Sequence, residues 1–225
     1  MYRSIGINLN SVKIKPAKKS KGKSPYHHGD LRKQLVEAAE EIILERGVDG
    51  FTLREAARRA GVSPAAPAHH FKDAKGLLSE VALQGFQEFG DALIAADKRA
   101  GSDPQKRLYA QGLAYVTFAV NNPARFQLMF SNSKCDMGYK NLAEVADRSF
   151  NVLESAVCAA SGLKPTDEMT PDAYGLLMAM WSLVHGFAHL GLGGQLDRAA
   201  KLRGGKNAIL KTFLPLMLQH IPARK

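Results

Sequence analysis

A short segment of the chain, from Thr52 to Phe71, carries the residues best suited to contact a nucleic acid. Thr52 starts a short predicted helix, and Gly61 and Val62 form a tight turn before a second helix that ends at Phe71. Ala57 is small, as the close crossing of two helices requires, and Val62 can fill the core beneath the turn. Two short helices joined in this way fit the helix-turn-helix pattern, in which the N-terminal residues of the second helix enter the DNA major groove.

Local signals set the start of both helices. Thr52 and Glu55 have the spacing of a capping box, in which the Thr52 side chain accepts from the Glu55 amide and the Glu55 side chain reaches back. Ser63 is a favoured capping residue and Pro64 suits the first helical position. We therefore expect the second helix to begin at this Ser-Pro pair.

Helical signals continue outside this segment, and strand signals are nearly absent. Apolar residues at helical spacing predict a first helix between Asp30, as its cap, and Gly47, as its end. A long helix is predicted over about residues 74–96, and a last one over about 205–220 that bends at Pro215. Three further starts place a capping residue just before proline: Asp103-Pro104, Asn122-Pro123 and Thr170-Pro171. The predicted fold class is all-α, with about nine helices.

The stretch from Phe51 to Ser63, followed by His69-His70-Phe71 and Leu77-Leu78, resembles the N-terminal domain of TetR-type transcriptional regulators. The resemblance covers about residues 30–80. It implies an N-terminal three-helix helix-turn-helix DNA-binding domain followed by a helical ligand-binding and dimerisation domain. The predicted divisions of the chain are a disordered basic arm at 1–25, the DNA-binding domain at 26–85 and the effector-binding and dimerisation domain at 86–225.

The resemblance also assigns DNA contacts. Thr52 is expected to contact phosphate, and His70 to approach the DNA backbone. Ala65 and Ala66 can offer only apolar contacts to thymine methyl groups, whereas Ser63 and His69 can form hydrogen bonds to bases, so we expect direct base readout to be modest, with DNA shape contributing. The predicted DNA-binding residues are Thr52, Arg54, Ser63, Pro64, Ala65, Ala66, His69, His70, Lys72 and Lys75.

Two positions depart from the family pattern. Ala68 stands where the family usually has a phosphate-contacting Tyr, and Ala74 stands where it usually has Lys. Loss of a phosphate contact weakens binding to every DNA sequence alike. Lys75 is adjacent and can take the place of the missing Lys, and the basic arm can lie along phosphates.

The charge of the whole chain also favours a polyanionic partner. The net charge is +10, and residues 1–29 hold seven Lys and Arg but no Asp or Glu. Cys135 and Cys158 have neither disulfide-framework nor metal-site spacing, so we expect reduced thiols. Neither a signal peptide nor an apolar run of membrane-spanning length is evident, so the expected location is the cytoplasm, without a membrane partner.

Trp181, His185 and Gly186 resemble the Trp-His-Gly signature of one C-terminal subclass of this family. The aromatic residues of this half either fill a core or line a ligand pocket with a few polar groups. His185 is the best polar candidate because it is titratable and lies on an apolar stripe. The predicted residues for an unknown small-molecule effector are Tyr115, Phe118, Phe126, Met129, Phe130, Met178, Trp181 and His185.

The sequence contains little that indicates catalysis or metal binding. His185 and His189 are four residues apart and could share a metal, but no carboxylate or Cys is placed to complete the site, so packing is the favoured interpretation. The chain has no nucleophile elbow, Gly-rich phosphate loop or paired metal-ligand motif. We therefore expect no cofactor and no enzyme activity, with a helical-bundle enzyme as a minor alternative.

The helices near 171–190 and 205–220 are apolar on more than one side, which requires a second partner. The resemblance assigns them to a four-helix dimer interface, and twofold symmetry then predicts a palindromic operator. The predicted function is a sequence-specific, ligand-responsive transcriptional repressor that binds double-stranded DNA as a homodimer. The main alternative is a non-specific basic DNA-binding protein of the nucleoid type.

Overall fold

The computed structural model describes residues 28–202 and 209–219 of the chain, so the predicted basic arm lies outside the described residues. The all-α prediction is confirmed, and no strand occurs in these ranges. Two 3-10 turns (Val48–Gly50 and Asn132–Lys134) and a π-helical segment (Ile209–Phe213) complete the fold. The α-helices of residues 28–202 and 209–219 are α1 (His28–Arg46), α2 (Leu53–Arg59), α3 (Ala66–Phe71), α4 (Ala74–Ala100), α5 (Pro104–Asn121), α6 (Pro123–Met129), α7 (Leu142–Ala160), α8 (Pro171–Leu192), α9 (Asp197–Leu202) and α10 (Leu214–Gln219).

The predicted helix starts at proline are confirmed for α5, α6 and α8. The predicted Asn122 cap of α6 is wrong, because its side chain accepts from no helix amide and instead donates to the Phe118 carbonyl of α5. The Asp103 carboxylate accepts hydrogen bonds from the amides of Gln105 and Lys106 at the start of α5. The Thr170 hydroxyl accepts from the Ala173 amide at the start of α8. These side chains bond to amides that have no partner within the helix, which is why the helices begin there.

Two predicted starts are wrong. The second helix of the DNA-binding motif begins at Ala66, not at Ser63-Pro64. Pro67 lies in the first turn of α3, where its fixed φ and missing amide are favourable, while the Ser63 carbonyl accepts from the Ala66 amide in a preceding turn. Asp30 lies inside α1, where an acidic residue near the helix N-terminus is favoured by the helix dipole.

The last predicted helix also differs from a single bent α-helix. Residues 203–208 lie outside the described ranges, and the chain is π-helical over Ile209–Phe213 before α10 begins. Pro215 lies in the first turn of α10 and cannot donate a backbone hydrogen bond to the preceding turn. The irregular hydrogen bonding therefore lies immediately before the proline that causes it.

Helix α4 is the long helix that contacts both the N-terminal and the C-terminal helices. Its N-terminal half packs against α1 and α3, and its C-terminal half packs against α5 and α7. Leu77 and Val81 are fully buried near one end, and Phe89 and Leu93 are buried near the other. Because one hydrophobic core contains all of these residues, α3 and the C-terminal helices are attached to the same helix.

Helix α8 is apolar over most of its surface. An 18-residue window of it has a mean hydropathy of 1.3, so by length and composition it could cross a membrane. The expectation that no apolar run reaches that length is thus wrong for this helix. One such helix is weak evidence for a membrane span, and α8 already packs through Leu177 and Val184 against the rest of the bundle.

A buried carboxylate joins α4 to two distant parts of the chain. Glu80 is 6% exposed and accepts hydrogen bonds from Arg32 of α1, and from Tyr139 and Lys140 of the loop between α6 and α7. We call these four residues the Glu80 cluster. Arg32 also donates to the backbone carbonyl of His70, at 3.2 Å, so the cluster contacts α3 directly.

The electrostatics of the cluster favour an ionised Glu80. Burial by itself raises the pKa of Glu80, but hydrogen bonds from Lys140, Arg32 and Tyr139 oppose it and lower the pKa to about 2. A carboxylate that is paired in this way stabilises the folded state only while it is charged. The cluster therefore holds α1, α4 and the loop together at neutral pH.

Two other ion pairs cross between the N-terminal helices and the C-terminal half. Arg125 of α6 bonds to Glu40 of α1 at 2.6 Å and also pairs with Glu88 of α4. Lys134 pairs with Asp49, which lies in the 3-10 turn after α1. The orientation of the DNA-binding motif is thus fixed by charged contacts at three places.

Replacing Glu80 by Gln tests the charge of the cluster. The folded-state pKa of about 2 lies below the ordinary 4.5, so the stabilisation is present above pH 4.5 and is lost as the pH falls towards 2. We expect Glu80→Gln to lower the free energy of unfolding by about 3 kcal/mol at neutral pH, and this deficit to shrink through that pH window. Urea denaturation at a series of pH values measures it.

Glu37→Gln is the matched control, because Glu37 is exposed and, in the part of the chain that the structure describes, its ion pair is with Lys33 one turn away. It should leave the pH dependence of stability unchanged. A deficit for Glu80→Gln that is the same at pH 2.5 and pH 7 would contradict the depressed pKa of Glu80.

Candidate nucleic-acid interface and internal cavity

The first helix of the motif is capped by Thr52. Its hydroxyl accepts from the Glu55 amide at 3.2 Å, which confirms one half of the predicted capping box. The other half is wrong, because the Glu55 carboxylate accepts from Arg58 and Arg59 instead of returning to the cap. Charged donors one turn away are stronger partners than a backbone amide.

The turn between the two helices depends on backbone geometry and small residues. Gly61 has φ of +69°, a left-handed conformation that glycine adopts without steric cost. The Val62 amide then donates to the Ala57 carbonyl at 3.0 Å, which closes the turn. Ala56 and Ala57 are completely buried, so larger side chains there would separate the helices.

Most of the predicted DNA-binding residues are exposed in the structure. Only Ala66 and His70 are half-buried, and within α3 it is Pro67 and Phe71 that are buried in the core. Ala68, where a family Tyr is absent, is exposed next to His69. The predicted residues that are exposed are Thr52, Arg54, Ser63, Pro64, Ala65, His69, Lys72 and Lys75.

Three of these residues supply positive charge that no acidic side chain neutralises. Within the described ranges Arg54, Lys72 and Lys75 form no ion pair, whereas Arg58 and Arg59 are engaged by Glu55. Free cations next to an exposed short helix are what a phosphate backbone attracts. The exposed positions around α3 therefore carry unpaired positive charge within the described residues, as the predicted DNA contact requires.

A cavity of about 320 Å³ lies between α4, α5, α7 and α8. Four of the predicted ligand-binding residues line it: Tyr115, Met129, Phe130 and Trp181. The other lining residues contribute mostly aromatic and aliphatic surface, with Gln111, Ser149 and Asp147 as the polar groups. Pockets of this size and composition commonly hold small molecules.

The remaining predicted ligand-binding residues lie elsewhere. Phe118 and Phe126 are buried in the core, and Met178 is 42% exposed on the outer side of α8. His185 lies behind the cavity wall, where its Nδ1 is hydrogen bonded to the Tyr115 hydroxyl at 2.7 Å. Burial and the neighbouring His189 lower the pKa of His185, so its imidazole is neutral at pH 7.

Sequence reasoning missed two features of this region. The lining residues of α4, Phe86, Phe89 and Leu93, belong to an apolar stripe that the sequence assigns simply to the core. Glu80 escaped notice although its position gave a signal, since it is an acidic residue inside that stripe. A charged group at a core position requires buried partners.

The described structure does not support a metal site at His185 and His189. The rings of His185 and His189 lie 4.5 Å apart by their centroids. Among residues 28–202 and 209–219 there is no group of three His, Cys, Asp or Glu side chains that could hold a metal ion. The two rings instead pack with Phe126, which contacts both.

The sequence matches two family models. Residues 35–81 match the model described as "Bacterial regulatory proteins, tetR family". Residues 108–204 match the model described as "Tetracyclin repressor-like, C-terminal domain". The first match contains the surface around α3 and the second contains most of the cavity, while the Trp-His-Gly resemblance stays a prediction.

Individual relatives agree with these models. The "HTH-type transcriptional regulator BetI" of Burkholderia cenocepacia (strain HI2424) is 30% identical over 179 residues, which cover 76% of this chain and 88% of that protein. A structure of a protein of unknown function from Rhodococcus sp. RHA1 is 32% identical, with a TM-score of 0.66 over 88% of this chain and 98% of that one.

A second Rhodococcus RHA1 structure, described as a bacterial regulatory protein in the tetR family, has a TM-score of 0.65 and 21% identity. It covers 87% of this chain and 98% of its own, which shows a shared fold. The family consists of transcription regulators and not of enzymes. The chain therefore belongs to the TetR family of helix-turn-helix transcriptional regulators.

Proposed function

We propose that this regulator is a ligand-responsive repressor that binds a palindromic operator as a homodimer in the cytoplasm. The observation that carries the proposal is the exposed surface around α3 with Arg54, Lys72 and Lys75, which form no ion pair within the described residues. The Glu80 cluster connects this surface to a helical bundle that contains an apolar cavity. Family membership supports DNA binding. The operator, the ligand response and the dimer are the proposed parts.

On DNA, α3 occupies the major groove and the residues around it contact phosphates. Ser63, three residues before α3, and His69, in its last turn, are exposed side chains that can hydrogen bond to base edges. Lys72 and Lys75 follow α3 at the junction with α4, next to the groove edge. This division assigns sequence recognition to α3 and affinity to the flanking cations.

The proposed dimer interface lies on the outer side of α8 and α10. Tyr174 is 55% exposed and Leu190 is 47% exposed on α8, and Leu216 is 49% exposed on α10. Large apolar side chains on neighbouring helices form a patch of the kind that subunit interfaces cover. A second copy of the chain would bury them in an isologous four-helix contact.

Two glycines of α8 agree with such a contact. A Cβ atom added to Gly175 or Gly186 would meet no other atom of the chain within 4 Å. Packing within one subunit therefore does not require glycine at these positions. Close approach of a partner helix would require it, because small residues let two backbones come together.

The route from cavity to DNA runs through the loop between α6 and α7. Met137 lines the cavity, and two residues later Tyr139 bonds to Arg32 at 2.9 Å and to Glu80 at 2.8 Å. Arg32 in turn holds the His70 carbonyl of α3. A ligand that displaces Met137 would move this chain of contacts and shift the dimer away from the DNA-competent geometry.

The alternative is non-specific binding to DNA. The net charge of +10 supports general affinity for polyanions, and nothing in it requires sequence recognition. A palindrome from the promoter region of the chain's own gene and a scrambled duplex separate the two functions. Equal affinity of the wild-type chain for both duplexes would overturn the proposal of a specific regulator.

Substitutions at the DNA surface should separate the two kinds of contact. We expect Lys75→Ala to weaken binding to the palindrome and to scrambled DNA by the same factor, and to reduce the salt slope by about one per subunit. We expect His69→Ala to cost about 1–3 kcal/mol on the palindrome alone, because it removes a base contact. Fluorescence anisotropy titrations at several salt concentrations measure both.

Two further variants control this experiment. Lys106→Ala removes an exposed cation of α5, far from α3 in the chain, and should change neither affinity. Ala68→Tyr restores the family's usual residue at an exposed position and should strengthen binding to both duplexes. An effect of Lys75→Ala confined to the palindrome would show that Lys75 reads sequence and not phosphate.

Met178→Glu tests the proposed interface. The side chain is 42% exposed in one subunit, so a carboxylate there is tolerated by the monomer but unfavourable in a dimer contact. We expect the wild-type chain to sediment at twice its mass of 24.5 kDa and the variant to sediment as a monomer. Leu44 is an exposed apolar residue of α1, so the control variant Leu44→Glu should remain dimeric. Dissociation of this control, or a Met178→Glu variant that remains dimeric, would contradict the assignment.

A further inference from the structure

We infer that the cavity binds an apolar molecule, uncharged or cationic, that donates a hydrogen bond to Gln111, and that it rejects anions. This inference rests on the proposed function, because it names the chemical class of effector that the regulator would sense. It comes from three properties of the cavity wall: its charge, its unpaired polar atom and its size.

The charge of the wall disfavours an anion. Asp147 is the one charged residue among the described lining residues, and none of them is Lys, Arg or His. His185 lies just behind Tyr115 but has a lowered pKa, so it contributes no positive charge at pH 7. A carboxylate or phosphate in this cavity would lose its water without gaining a cation.

The side-chain amide of Gln111 supplies the polar contact. Its Nε2 donates to the Asp97 carboxylate at 2.6 Å and to the Val152 carbonyl at 3.2 Å. The Asp97 carboxylate and the Val152 carbonyl can only accept hydrogen bonds, so the atom that faces them must be the Gln111 nitrogen. The Gln111 Oε1 atom then points away from both partners.

This oxygen has no partner. Gln111 is 2% exposed and lines the cavity, and its Oε1 finds no hydrogen-bond donor among the described residues. A buried carbonyl without a donor is unfavourable. A ligand whose donor reaches this atom, with a small shift of the wall that admits it, removes the penalty. Asp97 is itself paired with Arg107 at 2.8 Å, so the wall at Gln111 presents a neutral acceptor and not a buried negative charge.

Aromatic rings form most of the remaining wall. Phe150 and Trp181 meet edge to face at 5.4 Å between centroids, and Phe86 and Phe130 do so at 5.9 Å. Such rings pack well against another ring or a hydrocarbon, and their faces attract cations. The wall thus accepts uncharged and cationic molecules for the same reason that it disfavours anions.

The volume of the cavity guides the choice of probe, although the exposed lining residues Met137 and Asp147 leave one side open to solvent. An apolar cavity of about 150 Å³ holds benzene, with six non-hydrogen atoms. By that scale a cavity of about 320 Å³ takes a molecule of about twelve non-hydrogen atoms. Phenylbutanol, phenylbutylamine, the methyl ether of phenylbutanol and phenylbutanoate have this size and differ only in the end group.

Trp181 reports on binding, since it lines the cavity and is the only tryptophan of the chain. Each of the four probes is titrated into the full chain while tryptophan fluorescence is recorded. We expect the alcohol and the amine to bind about fivefold more tightly than the ether, which cannot donate, and at least about tenfold more tightly than the carboxylate. A carboxylate that binds as tightly as the alcohol, or binding of none of the probes, would overturn the inference.

Gln111→Met locates the donor contact, because it keeps the side-chain length and removes the amide. We expect it to abolish the preference for alcohol over ether and to leave the affinity of the ether within about twofold. An unchanged preference would show that another acceptor holds the ligand. The ranking of the four probes on the wild-type chain tests the inference even if this variant does not fold.

The proposed function is tested separately by the affinity of the ligand-free chain for its palindrome. If the palindrome is not bound above scrambled DNA while the probes rank as expected, the proposed function fails and the ligand class stands. If the palindrome is bound specifically and the probes rank in the opposite order, the ligand class fails and the regulator stands.

Discussion

The arrangement of the molecule depends on one buried carboxylate. Glu80 lies in α4, 6% exposed, at a place where the hydrophobic core would otherwise be continuous. Removing a carboxylate from water is costly unless cations and hydrogen-bond donors replace the water. Arg32, Tyr139 and Lys140 supply these groups from α1 and from the loop before α7, so one charge fixes the position of three segments. The recognition helix is included, because Arg32 also binds the carbonyl of His70.

Sequence reasoning succeeded where structure depends on neighbouring residues. The Thr52 cap, the Gly61 turn and the helix starts after Asp103 and Thr170 each involve groups within a few positions, and all are present. Ser63-Pro64 failed for a local reason too, since Pro67 offers a competing first turn. The Glu80 cluster could not be predicted in the same way, because Arg32 and Tyr139 are 107 positions apart. Only the fold brings them together.

The cavity shows the same limit. Aromatic residues at helical spacing identified the helices that surround it, but the rotation of each helix decides which side chains reach the space. Phe130 lines the cavity whereas Phe126, one turn earlier in α6, is completely buried. Gln111 was not among the predicted ligand-binding residues, since a glutamine in a helix is usually exposed. Its importance comes from two acceptors, Asp97 and Val152, that lie 14 and 41 positions away.

Charge and packing are separated between the two ends of this molecule, and that separation constrains how a signal can pass. The described cavity wall is mostly aromatic, with Gln111 as a neutral acceptor and the exposed Asp147 as its one charged residue, while the junction with the DNA-binding motif holds Glu80, Arg32 and their partners. An uncharged ligand cannot alter the Glu80 cluster by electrostatics. It can act only through packing, and Met137 is the lining residue nearest in sequence to Tyr139. The loop between α6 and α7 is therefore the element through which occupancy of the cavity can reach α3.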